Sequence, residues 1–347
     1  MVAKKVLAGV LTVAMAASIF PMGAGAAEKK KEYTFGYIAY DMKDNWNEYS
    51  ANSFEYAAKQ APVKVNTVVL DSKNSLEESV TCMESLIQQG VDGISIFPIS
   101  TEQGAQLVKM ANDAGIPVTI ENFEMDTVDD PGNYIASVAC KYDEIGYAAI
   151  KYISEVKPGA KVFYCAGQEG AGVYEKYQEG VDRALKDFGD KVQVVSTLHG
   201  DWATDKSYTV TTDFISTGTD FDYIFANNDL MAQGCYQALK DAGKEDVPIV
   251  STGGSPDGYQ LLKDGVESAN MTAPVSIQGI KTFKNLYDYV VDGKEPEEKF
   301  TSLPVIPVDA NTIDKYIAWD DYASAYDYVY NGAGEYATET ETEAATE

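Results

Sequence analysis

The chain has 347 residues, a formal net charge of −27, one arginine (Arg183) and one histidine (His199). Such acidity argues against nucleic acid and anionic membranes as partners. A single guanidinium group argues against a strongly anionic ligand, which arginine forks normally hold. The length fits two domains rather than one small core. Cys82, Cys140, Cys165 and Cys235 are far apart, and with a lone histidine they form no zinc set. No metal or cofactor is expected. The apolar setting of each cysteine reads as a buried thiol, with oxidation in an exported protein as the alternative.

In chain order, Lys4 and Lys5 precede an apolar run over 6–20 and then Ala24-Gly25-Ala26. This is the pattern of a signal peptide over 1–26, and it predicts export to the periplasm or cell surface. The apolar run is shorter than the roughly 20 residues a membrane span needs; a retained anchor is the alternative. A strand is predicted over 33–39. A helix over 47–60 follows, with Phe54, Ala57, Ala58 and Ala61 at helical spacing. After a strand over 63–70, Ser75-x-x-Glu78 forms a capping box. The helix it opens carries Leu76, Val80, Met83, Leu86 and Ile87 on one face and stops at Gly90. A strand over 91–97, a helix begun by Ser100 or Thr101 and ended by Gly115, and a strand over 116–120 complete the first module.

The pattern restarts past a seam near 136–142. Helices are predicted over 145–156, 174–188, 205–215 and 230–242, interleaved with strands over 161–165, 191–198, 223–226 and 247–252. Short apolar strands alternating with amphipathic helices predict parallel sheets covered on both faces. The fold class is therefore α/β, with two doubly wound parallel-sheet lobes. The helix over 277–292 and the strand-like segment over 305–319 fit either lobe. From Gly332 onward the chain is Gly, Ala, Thr and Glu, so 332–347 reads as a disordered acidic tail.

In open parallel sheets, ligands bind beyond the carboxyl ends of the strands. The residues there are aromatic, amide or carboxylate, and the candidate site consists of Tyr40, Asp41, Asn45, Trp46, Glu121, Asn122, Glu175, Trp202 and Asn228. Hydroxyls of a sugar or polyol bond to amides and carboxylates, and the C–H face of a pyranose stacks on indole. Trp46 and Trp202 are expected to sandwich a ligand from opposite lobes; burial in separate cores is the alternative. Asp229 reads as a helix N-cap, which leaves Asn228 as the ligand contact. The spacing of Gly167, Gly170 and Gly172 fits no phosphate loop, and these glycines are expected to open room for a ligand. Glu121 and Glu175 make the expected pocket acidic and favour a neutral or cationic ligand. Pairing with Lys43, Lys141 or Lys176 would instead make them structural supports. No nucleophile or metal set accompanies the two carboxylates, so an enzyme is not expected.

The segments Gln89-Gly90-Val91-Asp92-Gly93-Ile94, Ala114-Gly115-Ile116-Pro117-Val118, Phe225-Ala226-Asn227-Asn228-Asp229 and Ser255-Pro256-Asp257-Gly258 occur in a characteristic order. In them the chain resembles the type I periplasmic sugar-binding family, the ribose-binding-protein-like group. The resemblance implies two lobes joined by a three-strand hinge, one formed by 33–137 plus 274–303 and the other by 138–273 plus 304–331. It also implies a monomer that captures a small polar ligand, a sugar, and delivers it to the membrane permease of an ABC importer. A clamp presenting a signal molecule to a membrane receptor is the alternative. The same fold serves repressors, against which the export signal argues. The family pattern is not kept throughout. Glu175 and Phe123 stand where arginines are usual in pentose binders, Gly253 replaces an aspartate and Ala273 a polar residue.

Overall fold

The computed structural model describes residues 30–170, 172–313 and 317–332. The expected signal peptide, and all but Gly332 of the expected tail, lie outside them. Strands and helices alternate as β1 (Glu32–Ala39), α1 (Asn45–Gln60), β2 (Lys64–Asp71), α2 (Leu76–Gln89), β3 (Gly93–Ile96), α3 (Thr101–Asp113), β4 (Val118–Glu121) and β5 (Ser137–Cys140). A second run follows as α4 (Tyr142–Val156), β6 (Ala160–Ala166), α5 (Val173–Phe188), β7 (Val192–His199), α6 (Thr204–Ser216), β8 (Tyr223–Ala226), α7 (Asp229–Asp241), β9 (Ile249–Gly253), α8 (Pro256–Lys263) and β10 (Glu267–Thr272). The chain then adds α9 (Val275–Asp292), β11 (Phe300–Leu303), β12 (Ile306–Val308) and α10 (Tyr322–Asn331).

Two six-stranded sheets result, ordered β11-β5-β4-β3-β1-β2 and β12-β10-β9-β8-β6-β7. Their strands pair in parallel except at the edge of the second, where β12 runs antiparallel to β10. Central strands such as β3, β4 and β8 are buried at every residue, because helices cover both faces and leave no solvated side to alternate with. Caps fix the helix starts beside the strand ends. Asp44, Ser75, Ser100 and Asn228 each accept from a backbone N–H of the first turn. Gly90, at φ 65, ends α2 in the left-handed conformation that costs glycine least.

The chain passes between the sheets after β5, after β10 and between β11 and β12, since α9 packs on α1, β3, β4 and β5 whereas α4 packs on α5 and β7 to β10. The sequence reading placed no strand at β5, β10 or β11, and two of its lobe assignments differ from the structure. The seam set at 137/138 falls inside β5, which pairs with β4 and β11 of the first sheet. And α10, assigned to the second lobe, packs on α9 and α1 of the first, so the chain crosses a fourth time between β12 and α10. Its tyrosines make those contacts: Tyr322 and Tyr326 lie 5.8 and 6.2 Å from the ring of Tyr56.

In the second lobe α4 and α5 approach so closely that a Cβ at Gly146 would collide with the Tyr177 carbonyl, and one at Gly180 with the Asp143 carbonyl. This reciprocal glycine contact sets Tyr142, at the start of α4, 5.2 Å from Tyr177 of α5.

Candidate functional site

Each sheet has a switch in strand order, between β1 and β3 in the first and between β6 and β8 in the second. The carboxyl ends at both switches open onto one cavity of about 340 Å³, the position where α/β sheets hold ligands. A wider groove of about 470 Å³ lies at the other, amino-terminal end of β4. It has none of the strand ends that converge on the first.

The first lobe contributes Tyr40 and Asp41 from the turn after β1, Asn45 and Trp46 from the first turn of α1, Phe97 and Pro98 after β3, and Asn122 and Phe123 after β4. Asp44 organises the turn. It caps Asn47 N–H at 3.2 Å and accepts from the Tyr40 hydroxyl at 2.6 Å. Burial raises its carboxyl pKa, and the Tyr40 hydroxyl and backbone N–H groups oppose that rise. The Tyr40 ring packs on Phe97 at 5.3 Å. Asn122 adopts φ 68 and accepts through Oδ1 from the Tyr142 hydroxyl. The indole N–H of Trp46 is buried and has no acceptor among the described residues.

The second lobe contributes Gln168, Tyr177, Asp201, Trp202, Asn227, Asn228, Thr252 and Gly253, among others. Asp201 and Trp202 adopt φ 49 and φ 64. Left-handed backbone costs a bulky residue on the order of 1–3 kcal/mol, and such strain concentrates at functional sites. Asn228 Nδ2 donates to the Trp202 carbonyl at 3.4 Å. The indole lies so close to Gly167 that any Cβ there would overlap its ring. That glycine therefore makes room for Trp202 rather than for a ligand. Asn227 accepts through Oδ1 from Tyr164 at 3.0 Å and from Gly167 N–H at 2.8 Å, while its buried Nδ2 has no acceptor among the described residues. Tyr177 and Thr252 share a hydrogen bond of 2.9 Å, and Thr252 donates on to the Asn227 carbonyl at 2.6 Å.

Seven of the nine sequence-predicted residues thus line the cavity, and the two glutamates do not. Glu121 ends β4 inside the first lobe, fully buried. It accepts from Ser50 at 2.6 Å, Tyr37 at 2.8 Å, Ser95 at 3.1 Å and Gln278 at 3.3 Å. Burial raises its pKa, and these four neutral donors oppose the rise. Glu175 folds back on its own helix start, accepting from Gly170 and Gly172 N–H at 2.6 and 2.8 Å. Both are structural supports, held by hydroxyls and amides rather than by the lysines considered above. The cap assignment also shifts by one residue. Asn228 caps α7 through Met231 N–H at 2.7 Å. Asp229 is buried beneath it, accepting from Ser255 N–H and Asn270 at 2.7 Å each and from Ser251 at 3.1 Å.

Sequence reasoning missed Tyr142, Tyr177 and Trp319, which also line the cavity. Tyr142 follows β5, a strand the sequence reading did not place, and Tyr177 lies inside α5 rather than after a strand. Trp319 belongs to the fourth crossing; a third tryptophan in a polar run was its only signal.

A periplasmic binding protein domain profile matches residues 35–295. The ribose import binding protein of Salmonella typhimurium is 30% identical over 251 residues, covering 72% of this chain and 80% of that protein. A solved galactofuranose binding protein superposes with a TM-score of 0.74 at 24% identity, over 86% of this chain and 99% of the other. A solute binding protein from Bacillus halodurans with bound myo-inositol gives 0.75 at 21% identity, over 84% and 99%. With two parallel-sheet lobes around one cavity and a profile match across most of its length, the chain belongs to the periplasmic binding protein family, whose members bind solutes and are not enzymes.

Proposed function

We propose that the chain captures a neutral monosaccharide or cyclic polyol in the interlobe cavity, outside the cell, and hands it to the permease of an ABC importer. The observation that carries this reading is a pair of buried donors on cavity-lining residues, one from each lobe: Trp46 Nε1 and Asn227 Nδ2 have no acceptor among the described residues. A buried donor without an acceptor costs about 1–3 kcal/mol. A ligand presenting oxygens to both lobes would recover that energy only when the lobes close, which couples binding to closure. Trp46, Trp202 and Tyr177 offer apolar faces for a sugar ring. The ligands in the names of the relatives, ribose, galactofuranose and myo-inositol, share this chemistry.

With Glu121 and Glu175 withdrawn into structural roles, the acidic-pocket argument for an amino sugar loses its basis. The cavity lining holds four carboxylates, of Asp41, Asp44, Asp201 and Asp229, against one lysine, Lys43, and no arginine, so anionic sugars remain disfavoured. Calorimetric titration against ribose, galactose, arabinose, allose, myo-inositol, glucosamine, gluconate and ribose 5-phosphate tests the reading. A neutral member should bind tightest. Preference for gluconate or ribose 5-phosphate, or binding of none of the panel, would overturn it.

A further inference from the structure

We propose that Trp319 is a specificity-determining residue of the cleft. It positions Trp46 and closes the hinge-side end of the space that a ligand can fill. This rests on the reading of the cavity as the sugar site, and it concerns a residue that the sequence pattern left without a role.

Trp319 lies in the fourth crossing, is 2% exposed and lines the cavity. Its indole N–H donates to the carbonyls of both Gly253 and Ala273, at 2.9 Å each. Those two positions are themselves paired, Ala273 N–H to Gly253 carbonyl at 3.0 Å, so the indole is pinned where β9 and β10 end. Both carry almost no side chain. Gly253 adopts φ 121, and a Cβ there would lie 3.3 Å from the Trp319 ring and 3.1 Å from Asp229. The indole fills the room that larger residues would take.

The ring contacts run the other way, into α1 of the first lobe. Trp46 meets Trp319 at 5.2 Å and 88°, and Tyr49 meets it at 5.7 Å and 65°. Perpendicular aromatic pairs of this kind hold ring orientation and contribute about 0.5–1.5 kcal/mol beyond burial. A core tryptophan would keep its N–H and its ring in one lobe. This one spends its N–H on the second lobe and its ring on the first, at the wall where Trp46 meets the cavity.

The test uses the full chain with Trp319→Ala, Trp319→Phe, Trp46→Ala and the double alanine variant. Each is titrated with the tightest monosaccharide of the panel and with lactose and sucrose. Trp319→Ala should weaken the monosaccharide about tenfold, the scale of one lost aromatic pair, and should make a disaccharide bind measurably. Trp319→Phe, which keeps a ring, should retain most of the affinity. The double variant should bind no more weakly than Trp46→Ala alone, because both changes remove the same stacking face. Multiplying losses in the double variant, or unchanged ligand order and affinity in Trp319→Ala, would overturn the proposal. A ligand-free readout separates it from the sugar reading. In a Trp202→Phe background, Trp46 is the only tryptophan left once Trp319 is Phe or Ala. Its fluorescence anisotropy should be lower with alanine than with phenylalanine, and equal anisotropy would refute the positioning role even if no sugar of the panel binds.

Discussion

Trp46 sits in the first turn of a capped helix, and Trp202 sits in a left-handed loop, yet both line the same cavity. The first is held by regular structure and by aromatic neighbours. Asp44 fixes the helix start, and Trp319 stands against the ring at 5.2 Å. The second is held by what is absent, since only a glycine at 167 lets the indole lie where it does. One wall of the cleft is therefore set by helix geometry and can change little without moving α1. The other is set by loop backbone near φ 60, whose cost is offset by the Asn228 bond to the Trp202 carbonyl and by packing over Gly167. Strain of this kind persists only where its surroundings over-determine it. The second wall should thus be the more fragile to substitution at a distance.

Substitutions that separate the two walls sharpen this contrast. The largest effect is expected for Trp202→Ala, which removes one stacking face. Binding of the preferred sugar should weaken by about 3 kcal/mol, more than a hundredfold, with the melting temperature nearly unchanged. Calorimetry beside a thermal melt checks both halves. Glu121→Ala should do the reverse, lowering stability by about 3 kcal/mol through four orphaned donors, measured by urea unfolding, while the folded fraction binds normally. Gly167→Ala should weaken binding by about 2 kcal/mol, because the added methyl displaces the Trp202 ring. The same change at exposed Gly159, where a Cβ meets nothing within 4 Å, should leave binding alone. The smallest effect is expected for Glu175→Gln, under 1 kcal/mol in either quantity, since the amide oxygen can still accept from the loop.

Glu121 also gives the stability a pH dependence of definite sign. Burial holds its folded pKa above the ordinary 4.5, so folding favours the protonated form. The stability this contributes is fully present below about pH 4.5 and is lost as pH rises through the folded value. Glu121→Gln removes the titration. Wild type should therefore lose stability relative to the glutamine variant as pH rises from 4.5 toward neutrality, by paired melts across that range. A gap that widens in favour of wild type would contradict this account of the buried carboxylate.

How much of this was legible follows from where each signal resides. Most strands, though not β5, β10 or β11, were readable because side-chain periodicity is a local property, and so were the caps at Ser75 and Ser100. Aromatic and amide residues after the strands were readable for the same reason, once the parallel topology placed them at one end. Glu121 was misplaced by a single residue of strand length. The prediction ended β4 at 120, whereas Glu121 is its last residue, accepting from Tyr37 of β1 and Ser95 of β3. A buried tyrosine and serine in otherwise apolar strands were the only hint that a buried acceptor awaited them. No element was predicted for α10, although Tyr322, Tyr326 and Tyr330 share a helix face. Its docking on the first lobe, and with it the role of Trp319, depends on contacts far apart in the chain that no local pattern encodes.

The central claim, that a neutral sugar lies between the two indoles, is tested most directly by a crystal structure of the full chain with the tightest sugar of the panel. The account predicts the sugar ring between Trp46 and Trp202, with oxygens accepting from Trp46 Nε1 and Asn227 Nδ2. A sugar seated elsewhere, or one that leaves both of those donors without an acceptor, would contradict it.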